Sequence, residues 1–402
     1  ILDVCYLGGL FIMEESKKDI IKATVPVLEQ HGETITTVFY QNMFEEHPEL
    51  LNFFNKTNQK VGRQPNALAT TVLAAAKHID NLDAIVPFVI QIAHKHRALQ
   101  IMPEHYPIVG KHLIKAIKEV LGEAATPEII DAWTEYYGVI ADIFIKVEKD
   151  MYEAADWEAF KPFKVVDKIK QSEDVTEFIV KPVDGEMPNV QAGLYITVNI
   201  PSIDGEYDAK RHYSISSIDT TKGIHFAVKK EGQGETAGVV SHYMHDQLNI
   251  GDSIELSAPA GDFVLEDTDA LEEVLFLSGG VGVTPIVSML EQLVHDGYKG
   301  QVNWVQSCYN ASQHPFKEKM ESLKFEIENF NENIVYSEVD GHLTKDQLAQ
   351  YVNDTTQVYM CGSPSFMETM LDLLQQLDVD MNRIHFEPLG PKTVSYTHLT
   401  LP

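Results

Sequence analysis

The tetrapeptide Arg211-His212-Tyr213-Ser214 lies near the middle of a 402-residue chain, between two runs typical of β-strands at residues 193–200 and 224–229. Because side chains alternate between the two faces of a strand, Arg211 and Tyr213 are expected on one face. Arginine offers a planar fork of donors to a phosphate, and tyrosine offers a ring that can lie against a flat heterocycle. The stretch therefore predicts a phosphate-containing ligand. The alternative is an edge strand with a surface arginine and a half-buried tyrosine.

A second phosphate signal lies downstream at Gly238 and Ser241, which open a short helical pattern. Backbone N–H groups at a helix N-terminus can hold a pyrophosphate. Around both signals, from residue 164 to about residue 265, strand-like runs alternate with turn residues. The pattern predicts a flavin dinucleotide site on an antiparallel β-barrel, and we assign residues 156–266 to an FAD-binding domain.

From about residue 272 onward, strand and helix patterns alternate, as in a parallel-sheet α/β domain. A buried strand over residues 274–278 leads into a glycine-rich loop and a helix over residues 286–294. Glycines let a dinucleotide approach the backbone there, and the helix N-terminus favours its phosphates. We assign residues 270–392 to an NAD(P)-binding domain. Its cofactor contacts are expected from the loop residues Gly279, Gly280, Gly282, Thr284 and Pro285.

The choice between NADH and NADPH depends on the residues after the second strand of this domain. A 2′-phosphate calls for an arginine or lysine there, and residues 309–316 contain neither. The sequence favours NADH without settling the choice.

Residues 13–150 carry hydrophobic residues at helical spacing almost throughout, which predicts an all-α domain. One helix carries His94 and His96, which point in nearly opposite directions because they are two residues apart. His96 shares the apolar face, whereas His94 shares the other face with Arg97. A lone inward histidine is more often a core residue than a ligand, so its surroundings decide. Residues on other helices complete a flat pocket with one axial ligand, as haem requires: Tyr40, Phe54, Gln64 and Leu68.

Composition excludes several classes of protein. A net charge of −29 argues against binding to nucleic acid and to anionic membranes. Three scattered cysteines are too few for a disulfide framework, and no apolar run reaches the roughly 18 residues of a membrane span. We expect a cytoplasmic protein without an obligate protein partner. We also expect residues 1–12 and 395–402 to be non-native tails.

Taken together, the chain resembles the flavohaemoglobin family, in which a globin precedes FAD and NAD modules of the ferredoxin-reductase type. The resemblance covers about residues 13–394 and implies a multidomain α + β + α/β fold. The stretches that carry it are residues 38–40, 52–55, 58–60, 92–96, 103–106, 133–139, 361–364 and 385–391, together with the motifs above. The chain departs from the family pattern at two places. Residues 192–195 are Ala-Gly-Leu-Tyr where the family usually has Pro-Gly-Gln-Tyr, and Leu389 stands where an aromatic residue is usual.

The resemblance implies roles for individual residues of the helical domain. His96 is expected to be the proximal iron ligand, Tyr40 the distal tyrosine, and Phe54 the ring at the haem edge. Gln64 and Leu68 are expected to form the distal wall. Tyr106 and Glu148 are expected to surround the proximal imidazole, and a carboxylate that accepts from its far N–H strengthens the imidazole as a donor.

It implies roles in the other two domains as well. The flavin contacts are expected from Tyr195, Arg211, His212, Tyr213, Ser214, Gly238 and Ser241. Cys361 and Gly362 are expected near the nicotinamide, and Glu387 in the closing segment beside the flavin ring.

The implied cofactors are haem b, FAD, and NADH or NADPH. A nicotinamide gives two electrons as hydride and haem iron accepts one, so a flavin is needed between them. The resemblance implies an NO dioxygenase in which NAD(P)H reduces FAD, FAD reduces the iron, and O2 at the iron converts NO to nitrate. The alternatives are an O2 or NO sensor with a reductase that keeps the iron ferrous, and a reductase acting on another acceptor.

Overall fold

The computed structural model describes residues 13–54, 71–203, 205–234, 237–265 and 267–389, so both predicted tails lie outside it. The chain divides into two compact units, with the main division between Ala155 and Asp156. The domain limits assigned from the sequence remain predictions. Within the described ranges, no helix combines the length and the apolar character that crossing a membrane requires.

The first unit is helical, as expected. Its long helices are α1 (Glu15–Glu46), α2 (Val86–Leu99), α3 (His105–Leu121) and α4 (Pro127–Glu153). Residues 71–77 are also helical, and 3-10 turns lie at Pro48–Asn52, Leu82–Ile85 and Gly122–Ala124. Helix α1 packs mainly on α3, and α2 packs on α4.

Helix α4 shows how local sequence fixes these elements. Thr126 precedes it and accepts a hydrogen bond from the Ile129 backbone N–H at 3.4 Å, which satisfies a donor of the first turn. Trp133 is 1% exposed, and its Nε1 donates to Thr24 Oγ1 of α1 at 2.9 Å. Burial of a large apolar side chain contributes about 1.5–3 kcal/mol. Trp133 and its neighbours therefore hold α4 against α1.

The second unit begins with an antiparallel sheet. Its strands are β1 (Lys161–Lys170), β2 (Val175–Pro182), β3 (Tyr195–Ile200), β4 (Ala209–Ser214), β5 (Ile224–Lys229) and β6 (Ser253–Leu256). They are ordered β4-β3-β6-β1-β2-β5, and helix α5 (Val239–Asp246) follows β5. An isolated bridge between Ile215 and Phe226 joins the end of β4 to β5, the two outer strands of the order. The predicted antiparallel fold is confirmed.

A parallel sheet completes the second unit. Its strands are β7 (Glu273–Gly279), β8 (Gln301–Cys308), β9 (Phe330–Tyr336), β10 (Thr356–Gly362) and β11 (Ile384–Pro388), in the order β11-β10-β7-β8-β9. The helices are α6 (Val283–His295), α7 (Lys317–Lys324), α8 (Ser337–Asp340), α9 (Lys345–Leu348) and α10 (Pro364–Gln376). Short 3-10 turns lie at Gly280–Gly282, Ala311–Gln313, Ala349–Tyr351 and Met381–Arg383. The central strand β7 is buried at every position except its two ends, which explains its uninterrupted apolar run.

Polar contacts join the two sheets within this unit. The Gly193 backbone N–H donates to Ser288 Oγ of α6 at 3.1 Å. Glu291, one turn further along α6, accepts from the Ile218 backbone N–H at 2.8 Å and from Ser217 Oγ at 3.1 Å. The turn at Gly193 before β3 and the segment after β4 are thus both fixed to the helix that follows β7.

Candidate functional site

Three helices bring three predicted residues together in the first unit: His96 of α2, Tyr106 of α3 and Glu148 of α4. Nδ1 of His96 lies 2.7 Å from Glu148 Oε1, and Tyr106 Oη donates to the same oxygen at 2.6 Å. Glu148 is 2% exposed. Burial and the neighbouring carboxylate raise the pKa of Tyr106, so its phenol remains a donor. The carboxylate therefore accepts two hydrogen bonds away from water, where such bonds are strong.

This arrangement fixes the tautomer of His96. If Nδ1–H donates to Glu148, the lone pair is on Nε2, which has no hydrogen-bond partner within the described ranges. The His96 side chain keeps 31% of its surface exposed although Nδ1 is engaged. A metal-ligating histidine commonly donates its other N–H to a carboxylate in this way. His96 therefore fits the axial ligand of a haem.

Two neighbours of His96 add to what the sequence indicated. Phe144 packs its ring 5.6 Å from the His96 ring and 6.4 Å from that of Tyr106. It lies one helical turn before Glu148, a spacing that could have identified it. Arg97, which the periodicity placed on the face opposite His96, is only 4% exposed, so that face is also covered.

Tyr40 lies in α1 among aromatic rings. The rings of Phe39, Phe44 and Phe54 lie 4.7, 5.6 and 5.5 Å from its own. Burial raises the pKa of the Tyr40 phenol, which therefore stays protonated. Its Oη has no hydrogen-bond partner in the part of the chain that the structure describes. A buried donor is thus available for a small ligand, and the Phe54 ring lies beside it.

Gln64 and Leu68, the two residues expected to form the distal wall, lie outside the described residues. Their assignment stays a prediction.

In the second unit, β4 carries the tetrapeptide that predicted the flavin site. Burial lowers the pKa of Arg211, and the nearby Tyr213 opposes this shift. A phosphate would favour the charged form of such an arginine. The Tyr213 ring stacks on Phe226 at 5.7 Å, and Ser214 ends the strand half-buried.

His212 points to the other face of β4. Its Nδ1 lies 2.7 Å from Thr197 Oγ1, and its ring lies 4.9 Å from that of Tyr195. The structure therefore groups His212 with Tyr195 of β3 and separates it from Arg211 and Tyr213.

Gly238 is the N-cap residue of α5, as the sequence predicts. A Cβ at Gly238 would lie 2.8 Å from Ser241 Oγ, which explains the glycine. Ser241 Oγ donates to the Gly238 carbonyl at 3.1 Å and accepts from the Glu231 backbone N–H at 3.1 Å. Ser241 thus shapes the turn in front of the helix, and the remaining lone pair of its Oγ can accept from a bound water.

The nucleotide loop is shaped by close approach of the backbone. Gly280 has a φ of +54°, and a Cβ at Gly282 would lie 2.3 Å from the Cys361 carbonyl oxygen. Gly279 and Gly362 both lie against the ring of Phe366, where a Cβ would come within 2.7 and 2.5 Å. Because these positions lack side chains, the loop can pack closely against the Cys361 backbone and the Phe366 ring.

The remaining loop positions and the nicotinamide segments meet at the same edge of the sheet. Thr284 Oγ1 donates to the Val281 carbonyl at 2.7 Å, and Pro285 follows in the first turn of α6. Cys361 pairs with Ser278 of β7 on one side and with Glu387 of β11 on the other. Burial raises the pKa of the Cys361 thiol.

One residue at this edge was not identified from the sequence. Ser278 is 1% exposed, and its Oγ has no hydrogen-bond partner in the described ranges. A buried hydroxyl at the carboxyl end of the central strand lies where open parallel sheets bind ligands. The edge therefore has the glycine cradle and the polar groups that a nicotinamide dinucleotide requires.

Comparison with known proteins agrees with this geometry. Three domain families match the chain: Globin over residues 37–144, Oxidoreductase FAD-binding domain over residues 162–265 and Oxidoreductase NAD-binding domain over residues 276–372. The flavohemoprotein of Bacillus subtilis (strain 168) is 44% identical over 400 residues, covering 95% of this chain and 98% of that protein. Flavohemoprotein A of Dictyostelium discoideum is 41% identical over 397 residues, covering 95% and 99%.

Solved structures show the same relationship. The flavohemoglobin of Malassezia yamatoensis, with bound FAD and heme, superposes with a TM-score of 0.84 at 26% identity and covers 94% of this chain and 99% of its own. The FAD/NAD-binding domain of a nitric oxide dioxygenase from Vibrio cholerae matches with a TM-score of 0.53 at 31% identity, covering 57% and 99%.

The fold and the matches define a globin joined to an FAD- and NAD-binding oxidoreductase module. The chain belongs to the flavohaemoprotein family. The expected fold class is confirmed, and so are the expected cofactors haem, FAD and a nicotinamide dinucleotide.

Proposed function

We propose that this flavohaemoprotein is an NAD(P)H-dependent nitric oxide dioxygenase, which consumes O2 and NO and releases nitrate. The observation that carries the proposal is the hydrogen-bonded group of His96, Glu148 and Tyr106, which suits a strongly donating axial ligand. Further support comes from the similar FAD/NAD-binding domain that belongs to a nitric oxide dioxygenase.

When bound, FAD takes two electrons from the nicotinamide and passes them on singly, and the haem iron is the centre at which O2 is activated. In the first unit, we assign His96 Nε2 to hold the iron and Glu148 to hold the proton of Nδ1. Tyr106 donates to Glu148 and keeps its carboxylate in place. The imidazole then gains donor strength without changing its position.

Tyr40 is assigned a different role, which is to retain the bound diatomic ligand. Its buried, protonated hydroxyl is positioned among apolar rings and can donate a hydrogen bond to O2. Gln64 and Leu68 are proposed to complete the same pocket, and Phe54 to limit its edge.

In the second unit, Arg211 and the N-terminus of α5 at Gly238 are assigned to the FAD phosphates, and Tyr213 to its ring system. Ser214, Ser241, Tyr195 and His212 are assigned to the surrounding contacts. The loop Gly279–Pro285 and the Cys361–Gly362 turn are assigned to the nicotinamide dinucleotide, with Glu387 beside the flavin. Because residues 309–316 offer no cation to a 2′-phosphate, we propose NADH as the preferred donor.

The experiment is multiple-turnover NO consumption by the holoprotein in air-saturated buffer with excess NADH. A nitric oxide dioxygenase removes many equivalents of NO per haem. Removal of a single equivalent would contradict the proposal and favour an NO-binding or sensing role. NADH oxidation that continues without NO loss would indicate another acceptor.

A further inference from the structure

A group of metal-ligating side chains lies where α1 ends against α3, apart from His96 and the residues around it. Glu46 is the last residue of α1, His47 follows it, and His112 lies in α3. One ligand atom from each of the three lies within 4.8 Å of the other two. Nε2 of His112 lies 3.6 Å from Glu46 Oε2, and the two imidazole rings are 5.5 Å apart.

His112 indicates a ligand independently of this proximity. It is 0% exposed, and neither ring nitrogen has a hydrogen-bond partner among the described residues. A buried polar group without a partner destabilises the fold, and a ligand at Nε2 would satisfy one of the two ring nitrogens. A neutral imidazole carries a lone pair that can bind a cation.

His47 already has a carboxylate partner on one ring nitrogen. Its Nδ1 lies 3.0 Å from Glu49 Oε1, which leaves Nε2 for a cation and supplies the outer carboxylate usual at such sites. Its side chain is 29% exposed, so an ion can enter from solvent. The last turn of the 32-residue helix α1 contains no basic residue, and a helix C-terminus favours a cation.

Two lysines compete for Glu46. Lys115 Nζ donates to Oε1 at 2.9 Å and Lys111 Nζ donates to Oε2 at 3.0 Å, and these hydrogen bonds favour the charged form of Glu46. The carboxylate is therefore ionised at neutral pH. The Lys111 side chain is 63% exposed, and an exposed pair of this kind contributes little. A divalent ion can displace Lys111 from Oε2 while Lys115 stays on Oε1.

We propose that Glu46, His47 and His112 form a binding site for a divalent transition cation of the zinc class. Two imidazoles and one carboxylate are a zinc ligand set that leaves a fourth, open position for water. The imidazoles disfavour Mg²⁺ and Ca²⁺, which prefer oxygen ligands. Tetrahedral zinc places ligand atoms about 3.4 Å apart, close to the 3.6 Å between His112 Nε2 and Glu46 Oε2.

The test is calorimetric titration of Zn²⁺ into the full-length holoprotein, which is prepared without a polyhistidine tag and treated with a chelator. We expect one Zn²⁺ per chain. His47→Ala and Glu46→Gln, which alter partly exposed residues, should each weaken binding more than about 100-fold, and Glu49→Gln about 10-fold.

The matched control is His31→Ala, in α1 but outside the group, which should bind as the parent does. X-ray absorption at the zinc edge should show two imidazole nitrogens in the parent and one in His47→Ala. The proposal is overturned if the parent binds no Zn²⁺, or if all variants bind it with the affinity of the parent.

Discussion

The imidazole of His96 is oriented by a carboxylate 52 residues further along the chain. Both Nδ1 of His96 and Oη of Tyr106 bond to the same oxygen of Glu148, so a single carboxylate sets the ring orientation and its donor strength. An amide at that position keeps the size of the side chain and removes its charge.

Glu148→Gln should therefore weaken the imidazole as a ligand. We expect a lower iron–histidine stretching frequency in the resonance Raman spectrum of the ferrous protein and about 10–100-fold slower NO turnover. Glu119→Gln, at an exposed carboxylate that accepts from Asn42, is the matched control and should change neither. An unchanged stretching frequency in Glu148→Gln would reject the role of this carboxylate.

Tyr40→Phe removes one donor and keeps the ring contacts with Phe39, Phe44 and Phe54. A hydrogen bond to a charged or strongly polarised partner contributes about 1.5–3 kcal/mol, so O2 dissociation should accelerate about 10–100-fold. Stopped-flow displacement of O2 by CO measures the rate. Tyr152→Phe, which loses only a bond to the Ile101 carbonyl, should leave it unaltered. Equal rates in parent and Tyr40→Phe would remove Tyr40 from the distal site.

Helical periodicity alone selects His96 over His94, but it does not select Glu148. The residues between them do not indicate that α2 and α4 pack together. Only the family resemblance predicted that Glu148 lies beside His96. The burial of Arg97 shows the same limit, because a helix covered on two sides has no single inward face.

At the scale of elements, the segments assigned to the cofactors are shaped by glycines. Gly193 has a φ of +87°, and a Cβ there would lie 1.8 Å from the Phe263 carbonyl oxygen. The same residue donates its backbone N–H to Ser288 of α6. This turn before β3 therefore positions Tyr195 and links the antiparallel sheet to the nucleotide helix.

Gly193→Ala should destabilise the second unit and release FAD at a lower temperature. Gly251→Ala is the matched control, because Gly251 has a φ of +97° with open space at its Cβ position. The control should show only the cost of a left-handed backbone, about 1–2 kcal/mol, whereas Gly193→Ala adds the clash. Thermal release of FAD fluorescence measures both. Equal melting of the two variants would show that the contact with Phe263 contributes nothing.

Strands and helices of the second unit can be predicted from their hydrophobic patterns, including the fully buried β7. The sequence also indicates a glycine loop after β7 and a turn at Cys361. Their contact through Gly282 depends on the order of the parallel strands, in which β10 lies beside β7. Strands β7 and β10 are far apart in the sequence, so the sequence does not show that they are adjacent in the sheet. Phe366 and Ser278 were not identified for the same reason.

At the scale of the whole molecule, one polypeptide carries a hydride acceptor and a single-electron acceptor. The chain carries, from its carboxyl to its amino end, the sheet edge assigned to the nicotinamide dinucleotide, strand β4 assigned to FAD, and His96 with its partners. Conversion of NO and O2 to nitrate consumes one electron, and NADH supplies two. The ratio of nitrate formed to NADH oxidised therefore shows whether the electrons of NADH are used to convert NO to nitrate.

The most direct test of the account is the ratio of nitrate formed to NADH oxidised, measured in air-saturated buffer with NO supplied continuously. The account predicts two nitrates for each NADH in the parent protein and no nitrate above background in His96→Ala. NADH oxidation without nitrate in the parent, or undiminished nitrate formation in His96→Ala, would contradict it.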